Sequence, residues 1–240
     1  MNPLIRHAAL LGLLMSATLP ALALEPFMAS YQAYSAGKLA GNATMQLVQN
    51  QDDQWRIDLG VHGNRGLAGL IGLDVEQSTV FDHLQGQYRP LSHSTIKRSL
   101  FNGRKVTGLY DWRSGSSRWT GDLKKERRQP VPLREHDLSA LLMNLAVVRD
   151  ARLGQSLAYR VVESGRARDH AYQVAVATET VTVDAMSYEA MRVARTNGGN
   201  DETIFWVADG VPTPVRILQR ENGADTIDLR LVEYQGVQSR

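Results

Sequence analysis

The chain has no cysteine among its 240 residues. That excludes disulfide staples, thiolate metal ligands and the lipid-modified cysteine of an exported lipoprotein, so stability has to come from packing and strand pairing. It also lacks charge of one sign: 27 Lys and Arg stand against 25 Asp and Glu, a formal net charge of +2, which gives nucleic acid no general electrostatic footprint. The motifs of common chemistries are missing too. No H-E-x-x-H, G-x-S-x-G, G-x-x-x-x-G-K or G-x-G-x-x-G occurs, leaving zincin, hydrolase and nucleotide readings without their usual geometry. No metal, cofactor or catalytic residue is expected. Nor does any linker rich in Pro, Gly or Ser divide the sequence.

The longest apolar run lies at the start, and it is shorter than the ~20 residues a spanning helix needs. Arg6 precedes Leu10–Met15, and Ala21-Leu22-Ala23 follows in A-x-A form, the order of parts in a secretory signal. The expectation is cleavage after residue 23 and a single periplasmic β-rich domain over 24–240. Its net charge is +1, the +2 of the whole chain less Arg6.

What fills that domain is alternation with a period of two. Ala43, Met45 and Leu47 alternate with polar residues; Trp55, Ile57, Leu59 and Val61 alternate with Arg56, Asp58, Gly60 and His62. Each row predicts a strand with one face in a core. Further runs cover 75–81, 91–99, 105–112, 157–162, 172–177, 181–183 and 188–193. Turns between them are marked by Asn50–Asp53, Gln85-Gly86, Asn102-Gly103, Ser114-Gly115, Ser164-Gly165 and Asn197–Asn200. Small residues on the second face of 172–177 predict close packing there, with the helix as one candidate neighbour. At the C-terminal end, Thr203–Val207 is a β-branched and aromatic run, Pro212 and Pro214 place the next strand start at an edge or bulge, and Asn222-Gly223 is a hairpin signal before Ile227, Leu229 and Leu231. A helix is predicted over 137–150, opened by Asp137 as cap, with Leu138, Leu141, Leu142, Leu145 and Val148 on one face. The fold class is therefore all-β: a strongly curved antiparallel sheet or partly open barrel of roughly ten to twelve strands by run counting, with one helix near 137–150.

The order of these pieces resembles a bacterial envelope family known as domain of unknown function 3108. It is carried by Tyr31, Tyr34, Gly37 and Gly41 near the start, by the helix opening at Asp137, and by the aromatic strand, Asp209-Gly210 turn, Pro212-Thr213-Pro214-Val215 strand start and closing hairpin. The resemblance implies a secreted, mostly β protein, and no functional residue to carry over.

Two stretches invite functional readings. Gly66–Leu73 is apolar yet holds three glycines, too many for a helix interior, where each costs about 1 kcal/mol against Ala. It is either a mobile apolar rim beside a cavity, with Leu67, Leu70, Ile71 and Leu73 touching ligand, or a tightly packed bulged turn. The basic run Lys124, Lys125, Arg127 and Arg128 is either a contact to anionic lipid at a membrane surface or a solvated edge that discourages strand pairing. His136 beside Asp137 does not make a catalytic pair, since adjacent helical residues do not face each other; the other histidines, His62, His83, His93 and His170, are scattered. Asp58, Asp74, Glu76 and Asp82 are the carboxylates from which a glycosidase pair would have to be drawn. The leading functional reading is a non-enzymatic periplasmic binding or carrier protein for an apolar or amphipathic ligand, lipid or lipidated partner, because a curved sheet closed by a helix makes a cavity. The alternatives are an envelope assembly factor that binds proteins through its sheet, and a glycan hydrolase.

Overall fold

The computed structural model describes residues 24–50, 54–63, 74–98, 103–183 and 186–236. These form one antiparallel sheet of fourteen strands curled into a nearly closed barrel. The strands are β1 (Phe27–Ser35), β2 (Lys38–Gln49), β3 (Gln54–Gly63), β4 (Asp74–Leu84), β5 (Gln87–Arg98), β6 (Arg104–Asp111), β7 (Ser116–Gly121), β8 (Val131–Pro132), β9 (Ser156–Glu163), β10 (Arg166–Val183), β11 (Met186–Arg195), β12 (Glu202–Ala208), β13 (Arg216–Glu221) and β14 (Ala224–Gly236). Two meanders run outward from a central pairing of β1 with β14, so that β8 and β9 are the two edges. The strands β1, β7 and β8 add to those expected from hydrophobic runs, while the runs at 172–177 and 181–183 are one strand, β10.

The expected alternation is what places the core. Ala29, Tyr31 and Ala33 of β1 lie opposite Met45, Ala43 and Gly41 of β2, and Met45 and Leu47 lie opposite Leu59 and Ile57 of β3. All these positions share one face, which is the inner one, and most are fully buried. Tight turns at Ala36-Gly37, Gln85-Gly86, Ser164-Gly165 and Asn222-Gly223 have positive φ at both residues, as the type I′ hairpin demands. Gly165 has a second reason to be glycine: a Cβ there would stand 1.9 Å from the Arg127 carbonyl oxygen.

The edges overlap rather than abut. Tyr110, Trp119 and Leu123 pack on Val162, with Ala167 beside them, as a second small core. Leu157 and Val161, on the other face of β9, belong to the main one. Trp119 lies across Gly108, where a Cβ would stand 2.6 Å from the indole ring. Between the edges the chain itself forms the strap: Leu138 donates its N–H to the Arg160 carbonyl and accepts from the Val162 N–H at 3.0 and 2.9 Å.

That strap corrects the helix boundary. The helix, α1, spans Met143–Asp150, inside the expected 137–150 but shorter, and Asp137 is not its cap. The Asp137 carboxylate accepts the Arg134 N–H at 2.8 Å and Nη1 of Arg160 at 2.5 Å, which fixes the strap to β9. Ser139 Oγ takes the N–H of Leu142 instead. The apolar side chains do what their spacing implies: Leu138, Leu141, Leu142 and Leu145 are buried. A second expectation fails at 175–177, where Ala175 is only half-buried and Ala177 exposed, so the close packing expected of these small residues is not made. Three residues of β10 stand there between the pairs Val174–Val193 and Thr178–Met191, and Val176 is 84% exposed. Contact with α1 is made from the opposite face, by Tyr159, whose hydroxyl donates to the Ala146 carbonyl.

Candidate functional site

The two ends of the barrel differ. At one, α1 lies under the β4–β5 turn, with Arg149 donating to the Gly86 carbonyl and stacked 4.7 Å from the Tyr88 ring. Beside it the segment 209–215 folds inward: Thr213 is fully buried, 2.6 Å from the Tyr31 hydroxyl and 3.3 Å from the Met45 sulfur. This end is plugged. Pro212 and Pro214 do precede a strand, but β13 is neither an edge nor bulged at its start: it lies between β12 and β14, with its register shift at Gln219/Arg220, and Pro214 is buried in the plug.

At the opposite end the inner face changes character. Leu59, Val75, Gln77 and Ile227 sit on the same rows as the core residues but remain half-buried, although Val61 beyond Leu59 is buried; Glu163, His170, Arg195 and Thr203 on the later strands are half-buried too. The register makes Arg195 of β11 the partner of Tyr172 on β10, and Tyr172 is itself buried against Phe205 and Tyr159 at 5.9 and 6.2 Å. His170, two residues before Tyr172, puts Nδ1 3.4 Å from its hydroxyl. Burial, then the Arg195 and Arg168 charges, push the His170 imidazole down to about 4, so it is neutral near pH 7. The Tyr172 phenol is pushed up to about 12 by burial and stays a donor. Arg195 has Asn197 Oδ1 as its partner at 3.1 Å; no carboxylate lies within 4.0 Å of Arg195 or Arg168 among the described residues. The arrangement is a half-buried apolar lining, with two guanidinium groups at its rim that lack a carboxylate partner among the described residues, and the His170–Tyr172 pair beneath them.

The expected ligand-touching residues Leu67, Leu70, Ile71 and Leu73 lie outside the described residues. The strands that flank them end at Gly63 and begin at Asp74, at this same open end. The basic run is described: Lys125–Arg128 is a short 3-10 helix after β7, also at this end. Lys124, Lys125 and Arg128 are exposed, while Arg127 is turned in, with its carbonyl against Gly165.

The other candidates are spent on local partners. Asp58 is held by Arg56 and Asp82 by Arg89, while Asp74 and Glu76 come together on the same Arg98 nitrogen, with His62 also beside Asp74; each carboxylate is occupied by a neighbouring cation. His136 is an exposed turn residue with positive φ. His93 does sit in a chain of polar groups: Ser139 Oγ is 3.0 Å from Thr79 Oγ1, which is 2.8 Å from His93 Nδ1, and His93 Nε2 is 3.0 Å from Thr95 Oγ1 and 3.5 Å from Glu163 Oε1. Ser139 and Thr79 are wholly buried, so this chain satisfies polar groups where β4, β5, β9 and the strap meet and offers no nucleophile to a substrate. An open groove of about 870 Å³ lies between the turns at Gly37, Gly199 and Gly223, and its Arg220 is taken by Asp225 and Glu202. Among the described residues no group of three His, Asp or Glu could hold a metal ion.

Sequence reasoning noted His170 only as scattered and missed Arg168 and Arg195. The signal was there in part: Arg168, His170, Tyr172 and Val174 alternate as one row, its polar half extending the strand begun at Tyr172. That Arg195 joins them depends on the pairing of β10 with β11, which no local pattern states.

Compared with known proteins, the chain matches over residues 30–230 the model of a family described as "Protein of unknown function (DUF3108)". Among the curated proteins nothing matches it. Among solved structures it is similar to a beta-barrel-like protein of domain of unknown function DUF1849 from Brucella abortus, with 10% identity, 90% of this chain and 99% of that one covered, and a TM-score of 0.49.

Proposed function

We propose a non-enzymatic binding or carrier role, for an apolar or amphipathic ligand such as a lipid or the acyl chain of a lipidated partner, for this chain, which belongs to the DUF3108 family of proteins of unknown function. One observation carries the reading: the inner face is filled at the helix end and becomes half-buried at Leu59, Val75 and Ile227 towards the other. A barrel closed at one end and lined by apolar side chains at the other is the form of a small-ligand site. Gly66–Leu73 belongs to the same proposal as the rim of that opening. So does the compartment: with the leader at residues 1–23 removed, the domain works in the periplasm, where no cysteine is needed. Lys124, Lys125 and Arg128 then offer the open end a peripheral contact to an anionic membrane surface.

The test uses 1-N-phenylnaphthylamine, an uncharged dye whose emission rises on leaving water. The wild-type protein is expected to bind it, and Leu59→Trp, which fills the lining, to weaken binding several-fold while keeping the thermal midpoint within a few degrees, since a half-buried site has room to give. A wild-type protein that leaves the dye dark overturns the carrier reading.

A further inference from the structure

We propose that Arg168, His170, Tyr172 and Arg195 form a headgroup site at the open end, selecting single-chain amphiphiles that end in an anionic oxyacid group, carboxylate or phosphate monoester. The inference rests on the carrier reading and adds to it which amphiphiles are chosen. Three of the four residues lie on one inward row of β10, and Arg195 is brought alongside by its pairing with Tyr172. Arg195 and Arg168 are close enough to act on the His170 imidazole, which they and burial keep uncharged. The cationic character of this corner therefore belongs to the two guanidinium groups, and it is not neutralised by an ion pair of the kind that holds Arg56, Arg89, Arg216 and Arg230 on other strands. The nearest acidic influences on His170, Glu163 and Asp169, are weaker than the two arginines.

Donors are plentiful and point the same way chemically. A guanidinium presents paired N–H groups that match the two oxygens of a carboxylate or phosphate, and His170, whose Nδ1 lies 3.4 Å from the buried Tyr172 hydroxyl, adds one neutral donor through the remaining ring nitrogen when that hydroxyl donates to Nδ1. Ile227, Val75 and Leu59 continue the same inner face. On this proposal the acyl chain crosses that face from β3 and β4 by way of β14, and its head meets the arginines on β10 and β11.

The experiment compares cis-parinaric acid with its methyl ester, which have one chain and differ in charge, by fluorescence titration at pH 7.5. The acid is expected to bind tighter by roughly tenfold to a hundredfold, the range for hydrogen bonds to a charged group. Arg168→Gln with Arg195→Gln should remove that preference and leave ester binding as it was. Arg192→Gln, on the opposite face of β11, should change neither, and Arg168→Gln alone, at an exposed position, provides a variant whose folding is not at stake. Displacement of the acid by oleate or by oleoyl lysophosphatidate identifies which oxyacid the site prefers. Equal affinity for acid and ester in the wild type overturns the headgroup site while the carrier reading stands. Binding of neither overturns the carrier reading, and this inference with it.

Discussion

At the scale of single residues, the structure turns on side chains whose neighbours come from far along the chain. His170 is one. Its imidazole takes up a proton near 6.5 when the chain is unfolded and only near 4 when folded, because burial and the Arg195 and Arg168 charges oppose the charged form more than Glu163 and Asp169 favour it. Between those values the unfolded chain binds more protons. The stability His170 contributes is thus complete above about pH 6.5 and is lost as pH falls towards 4. Urea midpoints at pH 7.5 and pH 4.5 should therefore drop further for the wild type than for His170→Gln. His83, pushed down by burial and Arg149, is common to both proteins and cancels. An equal drop would show that His170 is not held neutral by the fold. None of this was legible locally, since a histidine in an alternating row looks the same whether its neighbour is water or arginine.

Elements were more legible than sites, for a physical reason. The clean row Trp55, Ile57, Leu59 and Val61 and the turn Asn222-Gly223 state their structure within ten residues, through burial on one face and tolerance of positive φ, and both appear where expected. Ala36-Gly37 forms an equivalent turn without an Asn or Asp to announce it, and β7, with the pattern Ser-Ser-Arg-Trp-Thr-Gly, owes its place to Trp119 alone among large apolar residues. The helix was half legible. Leucine spacing found the buried face, but Asp137 looked like a cap because the cap rule knows only the next few residues, whereas its partner Arg160 is 23 residues away. The buried face itself can be tested. Leu141 is 1% exposed and Val148 only half-buried, so Leu141→Asp should cost more than the about 2 to 5 kcal/mol of a truncation to Ala, by adding an unpaired charge. Val148→Asp should cost clearly less. Similar thermal midpoints for the two variants would mean that the leucine face is not what seats α1.

For the whole molecule, the design question is how a sheet with two edges behaves as a barrel. The central pairing of β1 with β14 joins strands from opposite ends of the domain, so the barrel cannot close until nearly the whole chain has been placed. The outer edges then overlap, and what holds them is small: the Tyr110, Trp119, Leu123 and Val162 cluster, the Tyr110 hydroxyl on the Val162 carbonyl at 2.6 Å, the Leu138 backbone bridge, and the Asp137–Arg160 pair. Asp137 is fully buried and leaves Oδ1 without a partner, so the pair is not there for its net stability; breaking one side of a buried pair, however, costs about 3 to 5 kcal/mol by stranding the other charge. Because this cluster is separate from the main core, that loss should be felt as local opening before it is felt as global unfolding. In Asp137→Ala, amide hydrogen exchange should therefore quicken in β6, β7 and the Leu138–Val162 bridge by up to a hundredfold or more, the factor that about 3 kcal/mol implies, while β1 to β3, which pair inside the main core, change far less. Uniform quickening across all strands would mean that the overlap and the barrel unfold as one unit, and that the strap is part of the core rather than a latch upon it.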